Sequence, residues 1–268
     1  MNANVITLTN TKKGTVSLPE QFSEPIRNDL IHRAFVAVES NERQTYGSHP
    51  EAGQRQAAKL SRRRREYKGS YGMGISRVPR KTLSRQGTKM NFVGAVAPGT
   101  VKGRQAHPPK AWKIWTKQIN VKENRKAIRS AMAAAVDKKI VEARGHEVPD
   151  QFPFVIESSA ETINKTKELH KVLVAIGLEK ELERSDNKKI RAGRGKMRGR
   201  KYKQPVGPLI VTSGPCKLLE TGCNIPGVDV VTVNSLNAKI LAPGGMPGRL
   251  TIFTQAAIEK LGKDKLYC

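Results

Sequence analysis

The densest chemistry in the chain is the stretch RRRREYKGSYGMGISRVPRK, Arg62 to Lys81, where four consecutive arginines precede glycines and tyrosines and no acid follows Glu66. Guanidinium forks match phosphate oxygens two at a time, lysines add point charge, and glycines let the main chain approach closely. Adjacent like charges repel one another, so such a run is either left in water or handed to a polyanion. A second strip, GRGKMRG from Gly193 to Gly199, offers the same chemistry without any acid. Neither is a nucleotide-cradling loop. Tyr71 to Arg77 holds a Gly-x-Gly, but a basic run precedes it, Arg77 stands where the third glycine belongs, and Pro79 follows; the dinucleotide fingerprint needs a strand before and a helix after. The Gly193 strip lacks the Gly-Lys-Ser/Thr of a phosphate loop.

Catalytic alternatives are thinner. TSGPCKLLETG, Thr212 to Gly222, sets a glycine and Cys216 at a strand-to-helix turn, the place where α/β enzymes keep their active sites. Nothing in the sequence pairs with that cysteine, and Gly214-Pro215 also reads simply as a tight turn into a helix. His32 and His170 fall in helical patterns, His49 and His107 precede prolines, and His146 follows a helix end, so none forms a general-base constellation. Cys216, Cys223 and Cys268 are odd in number and lack histidines at zinc spacing, which implies buried or inert thiols in a reducing compartment, with no metal or other cofactor.

The charge distribution decides between these chemistries. The formal charge is +26 on 268 residues. Residues 44–110 hold fifteen Lys or Arg against two acids, and residues 187–203 hold nine against none, while the remainder is nearly balanced at 25 against 21. A near-neutral domain therefore carries two basic insertions, and their partner is a nucleic acid rather than a membrane. No window approaches eighteen apolar residues, and MNANVITLTN has neither the basic start nor the apolar core of a signal peptide, so a cytoplasmic protein is expected. Tyr67 and Tyr71 are placed to stack on unpaired bases.

The near-neutral part must position these strips. Ser23-Glu24-Pro25 opens a helix bearing Ile26, Leu30, Ala34 and Ala37/Val38, and Asn120 with Glu123 caps a second, striped by Ile128, Met132, Val136 and Ile140 and ended by Gly145. FPFVIESS, Phe152 to Ser159, reads as a strand. Ser158 and Glu161 then cap a helix carrying Ile163, Leu169, Val172, Leu173 and Ile176 up to Gly177. LIVTS, VDVVTV and LTIFT are short β-branched strands with short helices expected near Leu218, Leu236 and Ile258. Continuous apolar strands alternating with helices predict a three-layer α/β domain with a mainly parallel sheet. Its extent is 1–43 plus 111–268; residues 44–110 form an extended insertion too poor in apolar residues to order itself in water, and 187–203 a second basic segment. Trp112 and Trp115 are expected to pack against the domain edge where the chain re-enters it.

KGSYGMGISRVPRK, the return strand GTVKGRQAHPPK (Gly99 to Lys110), AWKIWTKQIN, IRSAMAAAV from Ile128, PLIVTSGP and VDVVTVNSLNAKILAPGG occur in an order and spacing that resembles the family of universal large-subunit ribosomal protein four. The resemblance covers essentially the whole chain. Ending at Cys268 without a long basic tail points to the archaeal branch. It implies a structural protein, not an enzyme, whose α/β domain lies on the solvent side of the large subunit. Its extension threads ribosomal RNA to the exit tunnel, where its tip and protein twenty-two form a constriction around the nascent polypeptide. The tip is then expected near Gly72 to Gly94, with Arg77, Val78, Pro79 and Arg80 facing the lumen. The ribosomal RNA contacts fall to Arg55, Lys59, Arg62, Arg63, Arg64, Arg65, Tyr67, Lys68, Tyr71, Arg85, Lys89, Lys102, Arg104, His107 and Lys110 in the insertion. In the second segment they fall to Lys188, Lys189, Arg191, Arg194, Lys196, Arg198, Arg200 and Lys201. A competing reading, an RNA-processing or RNA-modifying enzyme, requires convergent titratable groups in an apolar pocket near Gly214; a helical DNA-compacting protein conflicts with the strand pattern.

Overall fold

A computed structural model describes residues 1–66, 69–87 and 89–268, so Tyr67 and Lys68 lie outside the described residues. The chain forms two compact units, Met1–Glu42 with Thr116–Cys268, and Arg43–Trp115. In chain order the elements are β1 (Asn2–Ile6), β2 (Lys12–Ser17), α1 (Asn28–Asn41), β3 (Arg80–Gln86), β4 (Lys89–Gly94), α2 (Val121–Val136), α3 (Lys138–Ala143), β5 (Phe154–Ile156), α4 (Thr166–Ala175) and α5 (Glu179–Asp186). They continue as β6 (Lys189–Ile190), β7 (Tyr202–Lys203), β8 (Leu209–Thr212), α6 (Leu218–Gly222), β9 (Asp229–Thr232), α7 (Ala238–Leu241), β10 (Thr251–Thr254) and α8 (Gln255–Lys263).

The first unit is built on a six-stranded sheet ordered β2-β1-β5-β10-β8-β9, antiparallel only between β1 and β2. β5, β8 and β10 are buried throughout, as strands covered on both faces must be. Their side chains alternate between two cores. Ile6, Ile156, Ile210, Val230 and Ile252 pack with Leu169 and Leu173 of α4, Leu182 of α5 and Leu218 of α6. Ala3, Val155, Val211 and Phe253 face the other way, against Ile31 of α1, Met132 of α2, Leu241 of α7 and Ile258 of α8. The result is the three-layer α/β arrangement that the strand pattern predicts.

Several boundaries differ from the sequence reading, each for a local reason. Residues 24–27, between a 3-10 turn at Glu20–Ser23 and α1, are not helical: Ser130 Oγ of α2 accepts the Arg27 N–H at 2.7 Å and donates to the Pro25 carbonyl at 2.9 Å, so this segment is tied sideways and Ile26 is exposed. The long second helix is two helices, because Asp137 leaves the helical region and its carboxylate caps α3 by accepting from Lys139 N at 3.0 Å. Ser158 to Thr162 is a 3-10 turn, and α4 starts later, at Thr166. The β1–β2 hairpin and α5 have no counterpart in the sequence reading; β2 is mostly exposed and lacks an apolar face to signal it. Cys216 is half-buried, whereas Cys223 and Cys268 are exposed, so only the first fits the picture of a packed thiol. No helix among the described residues is long and apolar enough to cross a membrane.

The root of the second basic segment is fastened by a buried ionic cluster. Glu181 on α5 is 0% exposed. It accepts from Arg184 Nε at 2.8 Å and Nη2 at 2.7 Å, from the Glu147 N–H at 3.0 Å and from His146 Nδ1 at 2.7 Å. A carboxylate cannot donate, so the proton of that last bond sits on Nδ1. Arg184 also donates to the Val206 carbonyl at 2.7 Å, and Gln204 Nε2 donates to the Ser185 carbonyl at 2.9 Å. Both ties hold the chain just after 187–203 onto α5.

Burial pushes the Glu181 carboxyl up in pKa, but its bonds from Arg184, His146 and Glu147 N–H outweigh burial, and the carboxyl ends below its ordinary value. A depressed folded value means that the stabilisation is fully present above the unfolded glutamate value, about 4.3, and is lost as pH falls through the folded one. Glu181→Gln is expected to lower stability at neutral pH by about 3 kcal/mol, because it leaves Arg184 facing an amide donor in a buried site. Urea unfolding of both proteins across the acidic range tests this: the gap between them should close as pH drops below that value, and a gap constant with pH would show that the carboxylate charge does not matter.

Candidate nucleic-acid interface

The unit Arg43–Trp115 has almost no core. Among its described residues only Ser70 and Ala95 are buried. What organises it is backbone pairing. β3 and β4 form an antiparallel hairpin in register Arg80 with Gly94 through Gln86 with Lys89, with an irregularity between Thr82 and Ser84. This hairpin was not legible in the sequence because its apolar residues do not sort to one covered face: Leu83 and Val93 are exposed while Met90 and Phe92 are half-buried. Single bridges join Lys59 to Arg80 and Ser61 to Gly69.

Below the hairpin, the limb containing Gly99 to Lys110, expected as a strand, is irregular. It is joined to the outgoing limb by Gln56 Nε2 donating to the Lys102 carbonyl at 2.8 Å and Ser48 N–H donating to the Pro109 carbonyl at 2.9 Å. The limbs come so close that a β-carbon on Gly53, whose φ is +78°, would lie 2.5 Å from Arg104 N; only glycine fits there.

Positive charge covers this frame. Arg55, Lys59, Arg62, Arg63, Arg64, Arg65, Arg77, Arg85, Lys89, Lys102, His107 and Lys110 are exposed, as is Tyr71, while Arg104 is half-buried. The two acids are each taken by one arginine: Arg55 Nε lies 3.4 Å from Glu51 Oε2, and Arg63 Nη1 3.3 Å from Glu66 Oε1. Among the described residues Arg62, Arg64 and Arg65 have no ion pair. Exposed and unbalanced, such groups attract counterions or phosphates.

The four residues assigned to a tunnel wall do not share one environment. Arg77 is exposed, its guanidinium 5.0 Å from the centre of the Tyr71 ring, a cation–π distance. Val78 and Pro79 are half-buried. Arg80 turns inward: Nη1 donates to the carbonyls of Ser76 at 2.6 Å and Val78 at 3.2 Å, and Nη2 to Ser76 Oγ at 2.9 Å. It is a clamp on the 76–80 turn. Within their own unit Trp112 and Trp115 occupy different surroundings. Trp112 is 64% exposed, and Trp115 stacks on Tyr46 with ring centres 5.2 Å apart.

The second basic segment is a small hairpin. β6 and β7 pair Lys189 with Lys203 and Ile190 with Tyr202, and a 3-10 turn from Arg194 to Arg198 closes the end. Arg191 holds it shut, Nε donating to the Arg200 carbonyl at 3.1 Å and Nη2 to that of Tyr202 at 3.4 Å. Lys188, Lys189, Arg194, Lys196, Arg198, Arg200 and Lys201 are exposed, and among the described residues none has an ion pair. Lys188 Nζ stands 4.2 Å over the Tyr202 ring.

At the strand ends near Gly214, titratable groups do converge. Glu161 accepts from Ser213 N–H at 2.8 Å, Ser213 Oγ at 2.7 Å and Thr254 Oγ1 at 2.6 Å, and Lys260 Nζ donates to the Ser213 carbonyl at 2.7 Å. Each donor is used in joining the ends of β8 and β10. The hydroxyl of Ser213 points its proton at Glu161, and Lys260 addresses a carbonyl, so the group is wired for loop closure rather than for nucleophilic attack. Cys216 packs beside the apolar cluster under α4 and α6.

Known proteins resemble the chain over its whole length. A family model described as "Ribosomal protein L4/L1 family" matches residues 16–264, running through both units. "Large ribosomal subunit protein uL4" of Nanoarchaeum equitans is 46% identical over 268 residues, covering all of both chains. The protein of that name from Methanococcoides burtonii is 43% identical with 97% of each chain covered, and that from Halobacterium salinarum is 40% identical, covering 98% of this chain and 100% of its own. The family is structural, not enzymatic, which removes the catalytic reading of the Gly214 turn. The chain, its α/β sheet and both basic segments covered by the match, belongs to the ribosomal protein L4/L1 family.

Proposed function

We infer that the chain is a structural protein of the large ribosomal subunit in the cytoplasm, binding ribosomal RNA through residues 44–110 and 187–203 and touching neighbouring subunit proteins. The observation that carries this is the set of exposed cations without acidic partners on a unit in which only Ser70 and Ala95 are buried among the described residues. Such a unit lacks the apolar burial that would offset its ordering entropy. RNA phosphates supply both the counter-charge and the missing contacts. The relatives' names carry the subunit assignment by kinship.

Residues 44–110 are read as the RNA-threading extension and 1–43 with 111–268 as the globular domain. The outward tip from Gly72 to Gly94 is read as reaching the nascent-peptide tunnel beside protein twenty-two. Within it Arg77 is the side chain free to meet a passing chain, and Arg80 keeps the turn in shape. Arg62 to Arg65 lie back from the tip, where charge without acid partners fits a phosphate-lined passage.

Three measurements test this reading. Binding to ribosomal RNA should weaken steeply with salt, because each neutralised phosphate releases counterions; replacing Lys196, Arg198, Arg200 and Lys201 together should flatten the log-log slope by about three units. An unchanged slope would leave the 187–203 hairpin in solvent. Trypsin acting briefly on the RNA-free protein should cut first between Arg55 and Arg104 and spare the sheet domain; resistance there would mean that the unit is stable alone.

The third measurement separates tip from anchor. Arg77→Ala should leave subunit assembly on sucrose gradients near normal while altering ribosome stalling on a reporter, whereas replacing Arg62 to Arg65 should impair assembly. Arg80→Ala should resemble loss of the turn, with both effects together. The proposal fails if Arg77→Ala blocks assembly and the four-arginine variant does not.

A further inference from the structure

The two tryptophans of the Arg43–Trp115 unit, the only ones in the chain, occupy different environments. Trp115 is covered: Tyr46 stacks on it at an interplanar angle of 26°, the Arg43 guanidinium lies 4.2 Å from its ring centre and Lys113 Nζ 4.8 Å. Trp112 stands open, with only Lys110 Nζ, 5.2 Å away, over its ring among the described residues. Both indoles and Tyr46 line one cleft of about 840 Å³, walled further by His107, Pro108 and Lys113.

The cleft is a built feature. Gly47 lies so near the returning limb that a β-carbon there would stand 2.2 Å from Ala111 N, and Ser48 N–H donates to the Pro109 carbonyl at 2.9 Å. The turn carrying Trp112 is closed by Lys113 N–H donating to the Lys110 carbonyl at 3.2 Å. An indole exposed by this much at the rim of a cleft offers an uncovered aromatic face to a flat partner. The flanking charges are lysines and an arginine, and residues 105–115 contain no acid, so the cover must carry negative charge alongside an aromatic face.

We propose that Trp112 is a stacking platform for an unpaired base of RNA, with Lys110 and Lys113 beside the phosphates that flank it. Bases within a duplex already have both faces stacked, so the platform selects a bulged or single-stranded nucleotide. This rests on the RNA-binding reading above and adds to it a site for one unpaired nucleotide. The covered Trp115 and Tyr46 pair gives the second wall of the slot.

The test uses the full chain. In a Trp115→Phe background Trp112 is the only indole emitter. Single-stranded oligoadenylate should quench its fluorescence, while a fully paired RNA duplex of equal length, binding measured by anisotropy of a labelled strand, should bind without comparable quenching. Trp112→Ala should weaken oligoadenylate binding about ten- to a hundredfold and leave duplex affinity unchanged, and Trp112→Phe should restore much of the loss. Oligoadenylate binding without quenching, or equal loss for both RNAs, would overturn the platform while the RNA-binding reading stood. Failure of the wild-type chain to bind either RNA would overturn both. Quenching by a proline-rich peptide but by neither RNA would assign the cleft to a protein partner and end the proposal.

Discussion

Uncompensated positive charge is the constraint that shapes this molecule. The chain has 49 basic side chains and 23 acidic ones, and several acids of the sheet domain are committed to ion pairs that hold it together. Glu181 is closed around by Arg184, His146 and a main-chain N–H. Asp229 binds Arg249, which is 2% exposed and also donates to the carbonyls of Gly207 at 3.1 Å and Ile240 at 3.0 Å. Glu24 accepts from Arg129 at 2.9 Å. Acids used in this way cannot neutralise the basic segments. A domain that mixed all its cations over one surface would repel itself from within; gathering them in two segments of the chain leaves a sheet domain of ordinary charge balance to fold by apolar burial.

The two basic segments meet the same electrostatic problem with different mechanics. The 187–203 hairpin is short, and the chain just after it is fixed to α5 through Arg184 and Gln204, with Arg191 closing its strands from inside. Its remaining cations are exposed on that frame. The Arg43–Trp115 unit is long and nearly coreless. Its order comes from backbone pairing between limbs, from close glycine contacts and from the Arg43, Tyr46 and Trp115 stack, interactions that are individually small. Fixing a backbone costs roughly 1 to 2 kcal/mol per residue, and the long unit has far less apolar burial to set against that cost than the sheet domain has.

How much of this could be read from residues alone follows from where the apolar side chains go. β5, β8 and β10 were legible because strands buried on both faces are continuously apolar, and α4 because Leu169, Leu173 and Ile176 keep a helical period. β2, β3 and β4 were not, since most of their side chains face solvent and the hydrogen bonds that define them leave no trace in hydropathy. Asp137 was taken as an ordinary residue within a helix, although a short acid between two apolar turns is also a cap; only its backbone conformation decides. In the site, the gathering of positive charge was plain from counting. The inward turn of Arg80 and the exposure of Trp112 were not, because both overturn a default, that an arginine in a basic run points outward and that a tryptophan points in.

Those two reversals share a cause. A unit without a core has no inside for tryptophan to occupy, so an indole there is either covered by neighbouring cations and rings, as Trp115 is, or presented outward, as Trp112 is. The same lack makes main-chain carbonyls in tight turns hard to satisfy, and an arginine with five donors is the side chain best able to do so. Arg80 therefore does in the insertion what Arg144 does in the sheet domain, where its guanidinium donates to the carbonyls of Pro243 and Pro247. Arginine abundance in such a segment is thus not a direct measure of how many phosphates it can hold, since part of the basic complement is spent on building the frame that presents the rest.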